Sequence, residues 1–449
     1  MPVSDHQPVK PEVLYPDYPR LSRVYEQLND DEDARVCKDI PEDACRHQPR
    51  NFFAYLVANT FSKVADELSS ARLILPWLLG AAGASSGFAG FLVPIREAGV
   101  LIPQLMVAAF IRRLARRKVV WLLGAFLSML ALAAMALAAG TLQGSEVGWA
   151  VVGALVVYSL ARGLCSVAAK DVLGKTVSKT RRGALMGYSA SVAGVATLLV
   201  GLYAEFGTGA EPVNLTLFLG GAAALWLLSL LAFSQIQEAP GATEGGGNAV
   251  SVALRSLGIV VTDRDFRRFV LARGLLLSIA LVPPFFVLLA QEHAGSSAAG
   301  LGLMIIASGL AASLSSPVWG RLSDRSSRWT MALAAFGGAI LCAVTALLAW
   351  LELTLLASPW VHALLFFGIS ICHGGARLAR KVYLVDMATA QTRAQYVAVS
   401  NTLIGLALLA LGSVGLLTAW IGVAGVIALL GGISLIAALY GLNLKEISG

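Results

Sequence analysis

The chain has 449 residues, of which 57% are hydrophobic and only 14% are charged, and its formal net charge is +7. Soluble domains usually carry about 25% charged residues, so this composition excludes an ordinary soluble enzyme. Residues 1–51 hold 7 Lys and Arg against 11 Asp and Glu, whereas the remaining residues hold 27 against 16. This pattern indicates a multi-spanning membrane protein, basic and apolar, behind an acidic N-terminal segment.

Residues 1–51 are predicted to be a cytoplasmic N-terminal extension. They contain no apolar stretch behind a basic start, so we expect no cleavable signal peptide. Prolines break any long helix here. A short helix is predicted near residues 20–27, with an apolar face of Leu21, Val24, Tyr25 and Leu28.

Two cysteines and a histidine in this extension are too few for a structural metal site. Such a site takes about four ligands, and Cys37, Cys45 and His47 supply at most three. We therefore expect free thiols and no bound metal. The remaining cysteines, Cys165, Cys342 and Cys372, stand singly in apolar stretches and are expected to be small core residues.

Twelve apolar stretches follow, each long enough to cross a bilayer core, for which a helix needs about 20 residues. We predict membrane spans one to twelve near residues 52–80, 87–111, 119–141, 147–169, 184–206, 214–234, 267–290, 298–319, 330–351, 360–383, 395–419 and 422–443. The predicted fold class is therefore an all-α membrane protein with twelve transmembrane helices.

The charges of the loops support this count, because basic and non-basic connections alternate along the chain. The basic loops contain Arg112, Arg113, Arg116, Arg117 and Lys118, then Lys175, Lys179, Arg181 and Arg182, then Arg264, Arg267 and Arg268, then Arg321, Arg325 and Arg328, and last Arg380, Lys381 and Arg393. The loops between them contain no Lys or Arg, and their only charged residues are glutamates. Under the positive-inside rule, the basic loops and both termini face the cytoplasm.

The longest connection, residues 235–266, is rich in glycine and is predicted to be a flexible cytoplasmic linker. It divides the chain into one six-helix bundle at residues 52–234 and a second at residues 267–449. The two halves resemble each other at an offset of 211 residues, which relates Arg162, Lys170, Arg182 and Ser189 to His373, Lys381, Arg393 and Ser400. Repeated halves around a central site are the usual architecture of secondary transporters.

Residues 320–328 read GRLSDRSSR and lie between spans eight and nine. They resemble the G-x-L-x-D-R-x-x-R loop of the major facilitator superfamily. The matching loop at residues 110–118 keeps its basic residues but lacks the aspartate. Arg162 stands where many proton-driven members have a functional arginine, although the surrounding R-x-x-Q-G pattern is absent. The resemblance implies two pseudo-symmetric six-helix bundles and transport by alternating access. It argues against a drug/proton antiporter, because span five lacks the proline of the antiporter motif.

Ionisable residues inside the spans are the candidate functional residues, since a charge at mid-bilayer costs at least about 2.5–3.5 kcal/mol. Span one carries Lys63, Asp66 and Glu67 at neighbouring positions. Asp66 is near the centre of its span and is our first candidate for proton coupling, followed by Glu67. His373 in span ten is a candidate proton relay because histidine titrates near neutral pH. The alternative for the span-one group is a salt-bridge cluster that fixes helix packing.

The predicted substrate cavity has more positive than negative charge. Span two, with Pro94 and Pro103, is expected to bend and form one wall, although Arg96 there has the alternative of pairing with span one. The predicted cavity residues are Lys63, Arg96, Glu97, Gln104, Arg162, Arg273, Arg377 and Asn401. We therefore expect an anionic or zwitterionic organic solute that moves together with protons.

A cytoplasmic gate is predicted from the loop motif and consists of Gly320, Asp324, Arg325, Arg328 and Arg380. Asp324 is expected at the N-terminus of span five, where the helix dipole favours an anion, and close to Arg377 or Arg380. The basic loop at residues 110–118 needs another acidic partner, for which the run Asn29–Asp33 and Asp386 are available. We therefore predict that the N-terminal extension docks under the cytoplasmic loops.

The leading interpretation is a monomeric secondary transporter of the cell membrane that binds a small molecule and needs no cofactor. The alternative is a transporter-like membrane protein that acts as a sensor or an assembly factor, which would have no need of charges in a cavity. An enzyme is not expected, because H-E-x-x-H, G-x-S-x-G and P-loop motifs are absent. Nucleic-acid binding is not expected either, because membrane topology accounts for every basic cluster.

Overall fold

The computed structural model describes residues 19–29, 40, 45–111, 113–206, 214–240, 257–389 and 392–447, and the regular elements of these residues are all helical. The helices are α1 Pro19–Asn29, α2 Gln48–Leu68, α3 Ile74–Ala81, α4 Ala89–Leu101, α5 Gln104–Ile111, α6 Lys118–Thr141, α7 Gly144–Thr176, α8 Lys179–Phe206, α9 Leu215–Ser234, α10 Ile259–Thr262, α11 Arg264–Leu275, α12 Leu277–Leu281, α13 Pro283–Ala294, α14 Ala298–Arg325, α15 Ser327–Trp350, α16 Pro359–Met387, α17 Arg393–Leu411 and α18 Thr418–Leu442. Short 3-10 turns lie at Ser86–Phe88, Thr354–Ala357 and Gly412–Leu417.

Nine helical stretches in the described part of the chain are long and apolar enough to cross a membrane. The last of them, Gln395–Leu442, contains both predicted spans eleven and twelve, which are divided by the turn Gly412–Leu417. Predicted spans one and two are not among the nine. Each is divided into two shorter helices, and span one also carries charged residues.

The breaks in spans one and two have local chemical causes. Between α2 and α3, the Ser69 hydroxyl donates to the Ala65 carbonyl at 2.7 Å, and the Ser70 hydroxyl accepts from the Arg72 amide at 3.4 Å. Such side-chain bonds compete with the helical ladder. Between α4 and α5, Pro103 has no amide hydrogen to donate, so the helix cannot continue unbroken.

The N-terminal half, residues 45–240, and the C-terminal half, residues 257–447, use the same helix neighbours. In the first, α6 packs against α7 and α9, and α2 packs against α8 and α9. In the second, α15 packs against α16 and α18, and α11 packs against α17 and α18. This correspondence agrees with the internal repeat in the sequence.

We call the end of the bundle that carries Glu146 and Glu352 the acidic end, and the end that carries Lys118 and Arg264 the basic end. The halves meet at the acidic end, where α3 contacts α13, α4 contacts the turn Gly412–Leu417, and α8 contacts α14. Glycines allow close approach there, because a Cβ added at Gly90 would lie 2.5 Å from the Gly415 Cα. A Cβ on Gly302 would likewise lie 2.5 Å from the Glu205 amide nitrogen.

Helix α1 packs against the start of α2 through Tyr25, which is fully buried. The Tyr25 hydroxyl accepts from Gln48 Nε2 at 2.7 Å, and its ring lies edge-on to Phe52 with centroids 5.2 Å apart. Of the predicted apolar face, Tyr25 is buried as expected, whereas Leu21 and Val24 are 38% and 47% exposed and Ser22 is buried instead. Docking on α2, rather than the hydrophobicity of α1 alone, selects the buried face.

Helix α1 lies at the basic end, and Tyr25 also interacts with Arg181 near the start of α8. The acidic residues 30–33 lie outside the described residues. Cys45 is disulfide-bonded, so the prediction of a free thiol there is wrong, while Cys37 lies outside the described residues. Cys165, Cys342 and Cys372 are free and buried, as predicted.

Among the described residues, the basic loop before α6 finds its acidic partner in Glu238, just after α9, and not in Asp386, while residues 30–33 lie outside the described residues. The Glu238 carboxylate accepts the amides of Arg117 and Lys118 at 3.0 and 2.7 Å and lies 3.0 Å from Lys175 Nζ. Arg117 also pairs with Asp171 at 3.3 Å. The prediction considered only loop charges and overlooked one carboxylate at the start of the linker and one inside a helix.

Candidate functional site

Asp66 on α2 is the centre of a charge cluster that joins three helices. Its Oδ2 atom accepts from Arg162 Nη2 of α7 at 2.6 Å. Its Oδ1 atom accepts from Arg96 Nη2 of α4 at 3.2 Å and from the Tyr158 hydroxyl of α7 at 2.5 Å. Arg96 therefore pairs with span one, which is the structural alternative noted for it. The Asp66 carboxylate is fully occupied by three donors.

Two aromatic residues that the sequence reasoning missed hold the arginines of this cluster. The Arg96 guanidinium lies 5.0 Å from the centroid of Tyr158, and that of Arg162 lies 4.8 Å from the centroid of Trp226. Trp226 Nε1 donates to the Tyr158 hydroxyl at 3.3 Å. Such cation–π contacts stabilise buried cations. Tyr158 stands one helical turn before Arg162, a spacing that offered a signal for it in the sequence.

Arg72 is a second residue that the sequence reasoning missed. It lies in the break between α2 and α3, and its Nη2 atom pairs with Glu97 Oε1 at 3.0 Å. Arg96 and Glu97, adjacent in sequence, thus have different partners, as expected for neighbours on a helix. The signal for Arg72 was the polar sequence Ser69-Ser70-Ala71-Arg72 in the middle of an apolar span.

Lys63 does not belong to either ion-pair group. Its Nζ atom donates to the Ser189 hydroxyl of α8 at 3.1 Å, and Asn59 Nδ2 donates to the same hydroxyl at 2.6 Å. Lys63 is therefore turned toward α8, away from the carboxylates of Asp66 and Glu67.

Glu67 has different surroundings from Asp66, although the two are adjacent. Its side chain is exposed, and no ion pair or hydrogen bond joins it to another described residue. Arg377 of α16 lies close enough to interact with its charge across the boundary between the halves. Glu67 is thus an accessible carboxylate deep inside the bundle.

The facing wall on α16 is positively charged. Arg377 is exposed and Arg380 half-buried, and within the described residues neither forms an ion pair. Arg380 and Arg377 both interact electrostatically with Glu97 on the other half. His373, one turn before Arg377, is 9% exposed, and its Nε2 atom has no partner among the described residues. These side chains share one face of α16 at three- and four-residue steps.

Hydrogen bonds also connect three other predicted cavity residues, Arg273, Asn401 and Gln104, across the two halves. Arg273 of α11 donates to the Ser400 hydroxyl at 2.5 Å and to Asn401 Oδ1 at 2.9 Å. Asn401 Nδ2 in turn donates to Gln104 Oε1 of α5 at 3.4 Å. Arg273 is 7% exposed, so its charge is buried among neutral partners.

The predicted gate is not assembled. Asp324 is exposed and, among the described residues, has neither an ion pair nor a hydrogen bond. Arg328 instead pairs with Glu446 at 3.0 Å, and Arg380 faces Glu97 in the cavity. Gly320 and Arg325 are the remaining gate residues, and a Cβ on Gly320 would meet nothing within 4 Å. Helix α14 approaches α8 closely at the acidic end, where Gly302 lies against Glu205, whereas a Cβ on Gly183, near the start of α8 at the basic end, would meet nothing within 4 Å.

Residues 274–446 match the sequence model of the Major Facilitator Superfamily. No curated protein matches the chain significantly. Solved structures with the same fold include a variant of the nucleoside transporter NupG, with 13% identity and a TM-score of 0.66, covering 87% of this chain and 99% of that one.

Two further solved structures resemble this fold to a similar degree. A D-xylose-proton symporter has 15% identity and a TM-score of 0.64, covering 89% of this chain and 98% of the other. A variant of the peptide transporter POT has 14% identity and a TM-score of 0.67, covering 87% and 93%. The chain therefore resembles the Major Facilitator Superfamily by sequence over residues 274–446, and it shares the fold of these solved transporters over most of its length.

Proposed function

We propose that the protein is a secondary active transporter that moves a small anionic or zwitterionic organic solute together with protons. The transport cycle would be alternating access between the bundles at residues 52–234 and 267–449. The observation that carries this proposal is the unpaired Glu67 on one half, facing the unpaired Arg377 on the other half. Opposite charges that are deep inside the bundle and not joined are suited to a solute that binds between them.

Glu67 is the favoured proton-coupling residue, ahead of Asp66 and His373. Three donors contact the Asp66 carboxylate, so freeing it during a transport cycle would require several contacts to break at once. Glu67 has no such contacts among the described residues. In the proposed cycle, the solute competes with Glu67 for Arg377, and Glu67 takes up the proton that accompanies the solute.

The similar structures include a nucleoside transporter, a D-xylose-proton symporter and a peptide transporter. Solute transport with protons is therefore compatible with this fold. We propose further that the protein acts as a monomer in the cell membrane, with its basic end and termini in the cytoplasm. A sensor or assembly factor with the same fold would have no reason to keep an unpaired carboxylate and an unpaired guanidinium in the cavity.

The proposal is tested with proteoliposomes that contain a pH-sensitive dye and are exposed to jumps in the concentration of charged solutes. We expect at least one solute to acidify the lumen of vesicles carrying the wild-type protein. Glu67→Gln is expected to abolish the acidification, and Arg393→Gln, which removes an exposed charge at the basic end, serves as the matched control. A flux indifferent to the pH gradient, to Glu67→Gln and to Asp66→Asn would contradict proton coupling. No flux of any solute would favour the sensor or assembly role.

A further inference from the structure

The charges around the central cavity do not cancel. The carboxylates are Asp66, Glu67 and Glu97, and the guanidiniums are Arg72, Arg96, Arg162, Arg377 and Arg380. The guanidiniums exceed the carboxylates by two even when every carboxylate is ionised. The surplus rises to three when Glu67 is protonated.

This surplus is located on the C-terminal half. In the N-terminal half, Arg96 and Arg162 are paired with Asp66, and Arg72 is paired with Glu97. On α16, Arg377 and Arg380 have no carboxylate within ion-pair distance among the described residues. Arg273 adds another positive charge behind them but donates to Ser400 and Asn401, so its guanidinium is turned toward α17.

A buried histidine next to these arginines has donor or acceptor capacity that no described residue uses. His373 is 9% exposed, and its Nε2 atom is buried without a partner. Buried polar atoms in native structures nearly always have a partner. This unsatisfied atom lies one turn from Arg377 on the same helix, and a polar ligand bound there would satisfy it.

We propose that the α16 wall, Arg377 and Arg380 with His373, is the anion-binding subsite and that the solute carries at least two negative charges. This inference rests on the proposed function and deepens it by naming the recognising side chains and the solute class. When the halves close over the solute, a singly charged anion would leave a positive surplus in a desolvated cavity, which is costly. An organic dianion balances that surplus. Two guanidiniums three residues apart can hold two carboxylates or one phosphate by charge-assisted hydrogen bonds.

The test is equilibrium binding to the detergent-purified full chain, measured by titration calorimetry. Four probes separate the chemistries: succinate as a dicarboxylate, glycerol phosphate as a phosphate monoester, alanine as a zwitterion without net charge, and glucose as a neutral solute. We expect one of the two dianions to bind and the neutral solute not to bind. Arg377→Gln and Arg380→Gln should each weaken that binding at least about tenfold, whereas Arg393→Gln should leave it unchanged.

A second variant separates recognition from folding. Arg377→Lys keeps the charge but loses the planar fork of the guanidinium, so it should bind the dianion more weakly than wild type and more tightly than Arg377→Gln. Dianion affinity unchanged in all the α16 variants, or no binding of either dianion at millimolar concentration, would overturn the inference. If alanine or glucose drives flux in proteoliposomes and neither dianion does, the inference fails and the transport function stands. Flux of none of the solutes would contradict the transport function itself.

Discussion

Two neighbouring carboxylates on α2 have opposite surroundings, and this difference assigns them different roles. Asp66 accepts from two arginines and a tyrosine, all from α4 and α7. It therefore holds three helices of the N-terminal half together. Glu67 points away from this cluster and is exposed. Freeing a carboxylate that joins three helices is costly, which is why the proposed cycle uses Glu67 rather than Asp66.

Outside the membrane-spanning segments, Asp263 is a carboxylate whose charge the fold stabilises. It is the N-cap of α11, and its Oδ1 atom accepts the amides of Asp265 and Phe266 at 2.9 and 3.0 Å. The Tyr396 hydroxyl donates to its Oδ2 atom. Burial alone would raise the pKa of Asp263, but these hydrogen bonds outweigh it and lower the pKa below its ordinary value.

We expect Asp263→Ala to lower the stability by about 1 kcal/mol near neutral pH, the usual cost of losing an N-cap. Because the pKa of Asp263 is lowered on folding, its carboxylate contributes stability above the unfolded pKa, near 3.9, and loses that contribution as the pH falls through the folded value. The difference between wild type and variant in thermal unfolding should thus be constant above about pH 5 and shrink below about pH 4. Asp263→Asn, which can still cap the helix, is the control and should cost less. A difference that grows at low pH would contradict this account.

At the level of residues, the sequence indicated which charged side chains lie inside the spans, but it did not indicate which of them form ion pairs with each other. Asp66, Arg96 and Arg162 were recognisable because charges inside apolar spans are costly and therefore rare. Their pairing depends on the rotation of each helix about its own axis, which hydrophobic periodicity alone does not determine. Arg72 escaped recognition for a similar reason. It faces the cavity only because α2 ends at Leu68 and the chain turns before α3 begins.

At the level of helices, one capping arrangement occurs in both halves. Lys118 Nζ at the start of α6 donates to the carbonyls of Ser234 and Ile236 at 3.4 and 2.8 Å. Arg328 Nη1 at the start of α15 donates to those of Leu442 and Leu444 at 3.3 and 3.0 Å. An offset of 208 residues relates each carbonyl to its counterpart, and the same offset relates Glu238 to Glu446.

Glu238 and Glu446 each accept hydrogen bonds at a helix N-terminus, but one is buried and the other is partly exposed. Glu238 accepts two amides at the start of α6, and its side chain is fully buried. Glu446 accepts from the hydroxyl of Ser326, the N-cap of α15, at 2.9 Å and pairs with Arg328, but its side chain is 38% exposed. In both halves a carboxylate lies at a helix N-terminus, where the helix dipole favours negative charge.

We expect Glu238→Gln to destabilise the protein by about 2–3 kcal/mol, since it removes the buried carboxylate that compensates a partly buried lysine and two amides. Glu446→Gln should cost about 1 kcal/mol or less, because its ion pair is partly exposed to solvent. The melting temperatures of the two purified variants, compared with wild type, measure this difference, and each variant serves as the control for the other. Equal effects would show that burial does not decide the strength of these caps.

The boundaries of most helices were predictable from hydrophobicity, but the interruptions were not. The predicted spans agree with α6, α8 and α9 to within a few residues, whereas α7, at Gly144–Thr176, is longer at both ends than the predicted 147–169. The additional turns at the basic end contain charged residues, and a prediction from hydropathy assigns such residues to a loop. The break in span one depends on hydrogen bonds from serine side chains, which the apolar pattern does not encode.

At the level of the whole molecule, the basic and acidic ends are in different states. At the acidic end the halves meet where α3 contacts α13, where α4 contacts the turn Gly412–Leu417 and where Gly302 of α14 approaches Glu205 of α8. Toward the basic end, the motif aspartate Asp324 has no ionic partner among the described residues. Glu67 and Arg377 lie deep in the bundle and are nevertheless exposed. We infer that the structure represents a state closed at the acidic end, with the central cavity accessible from the other side.

The sequence predicted the architecture from the alternation of loop charges, but it could not predict this state. The transport cycle proposed above requires both an inward-open and an outward-open arrangement of one sequence, so the periodicity of the helices is compatible with either. Asp324 illustrates the point, since its motif predicts a contact that belongs to the arrangement not seen here. The glycines of the acidic end are more informative, because they show where the halves approach closely enough to exclude a side chain.

We expect Gly90→Leu to open the acidic end. Even the Cβ atom would lie 2.5 Å from the Gly415 Cα, so α4 and the turn Gly412–Leu417 must separate by about 1 Å or more to reach an ordinary contact distance. Spin labels on the exposed Glu146 and Glu352, in a variant without native cysteines, report the separation of the halves by pulsed electron paramagnetic resonance. The distance distribution should shift to longer values in Gly90→Leu. Gly153→Leu, at a site where a Cβ meets nothing within 4 Å, should leave it unchanged. An unchanged distribution in Gly90→Leu would mean that this contact does not hold the acidic end closed.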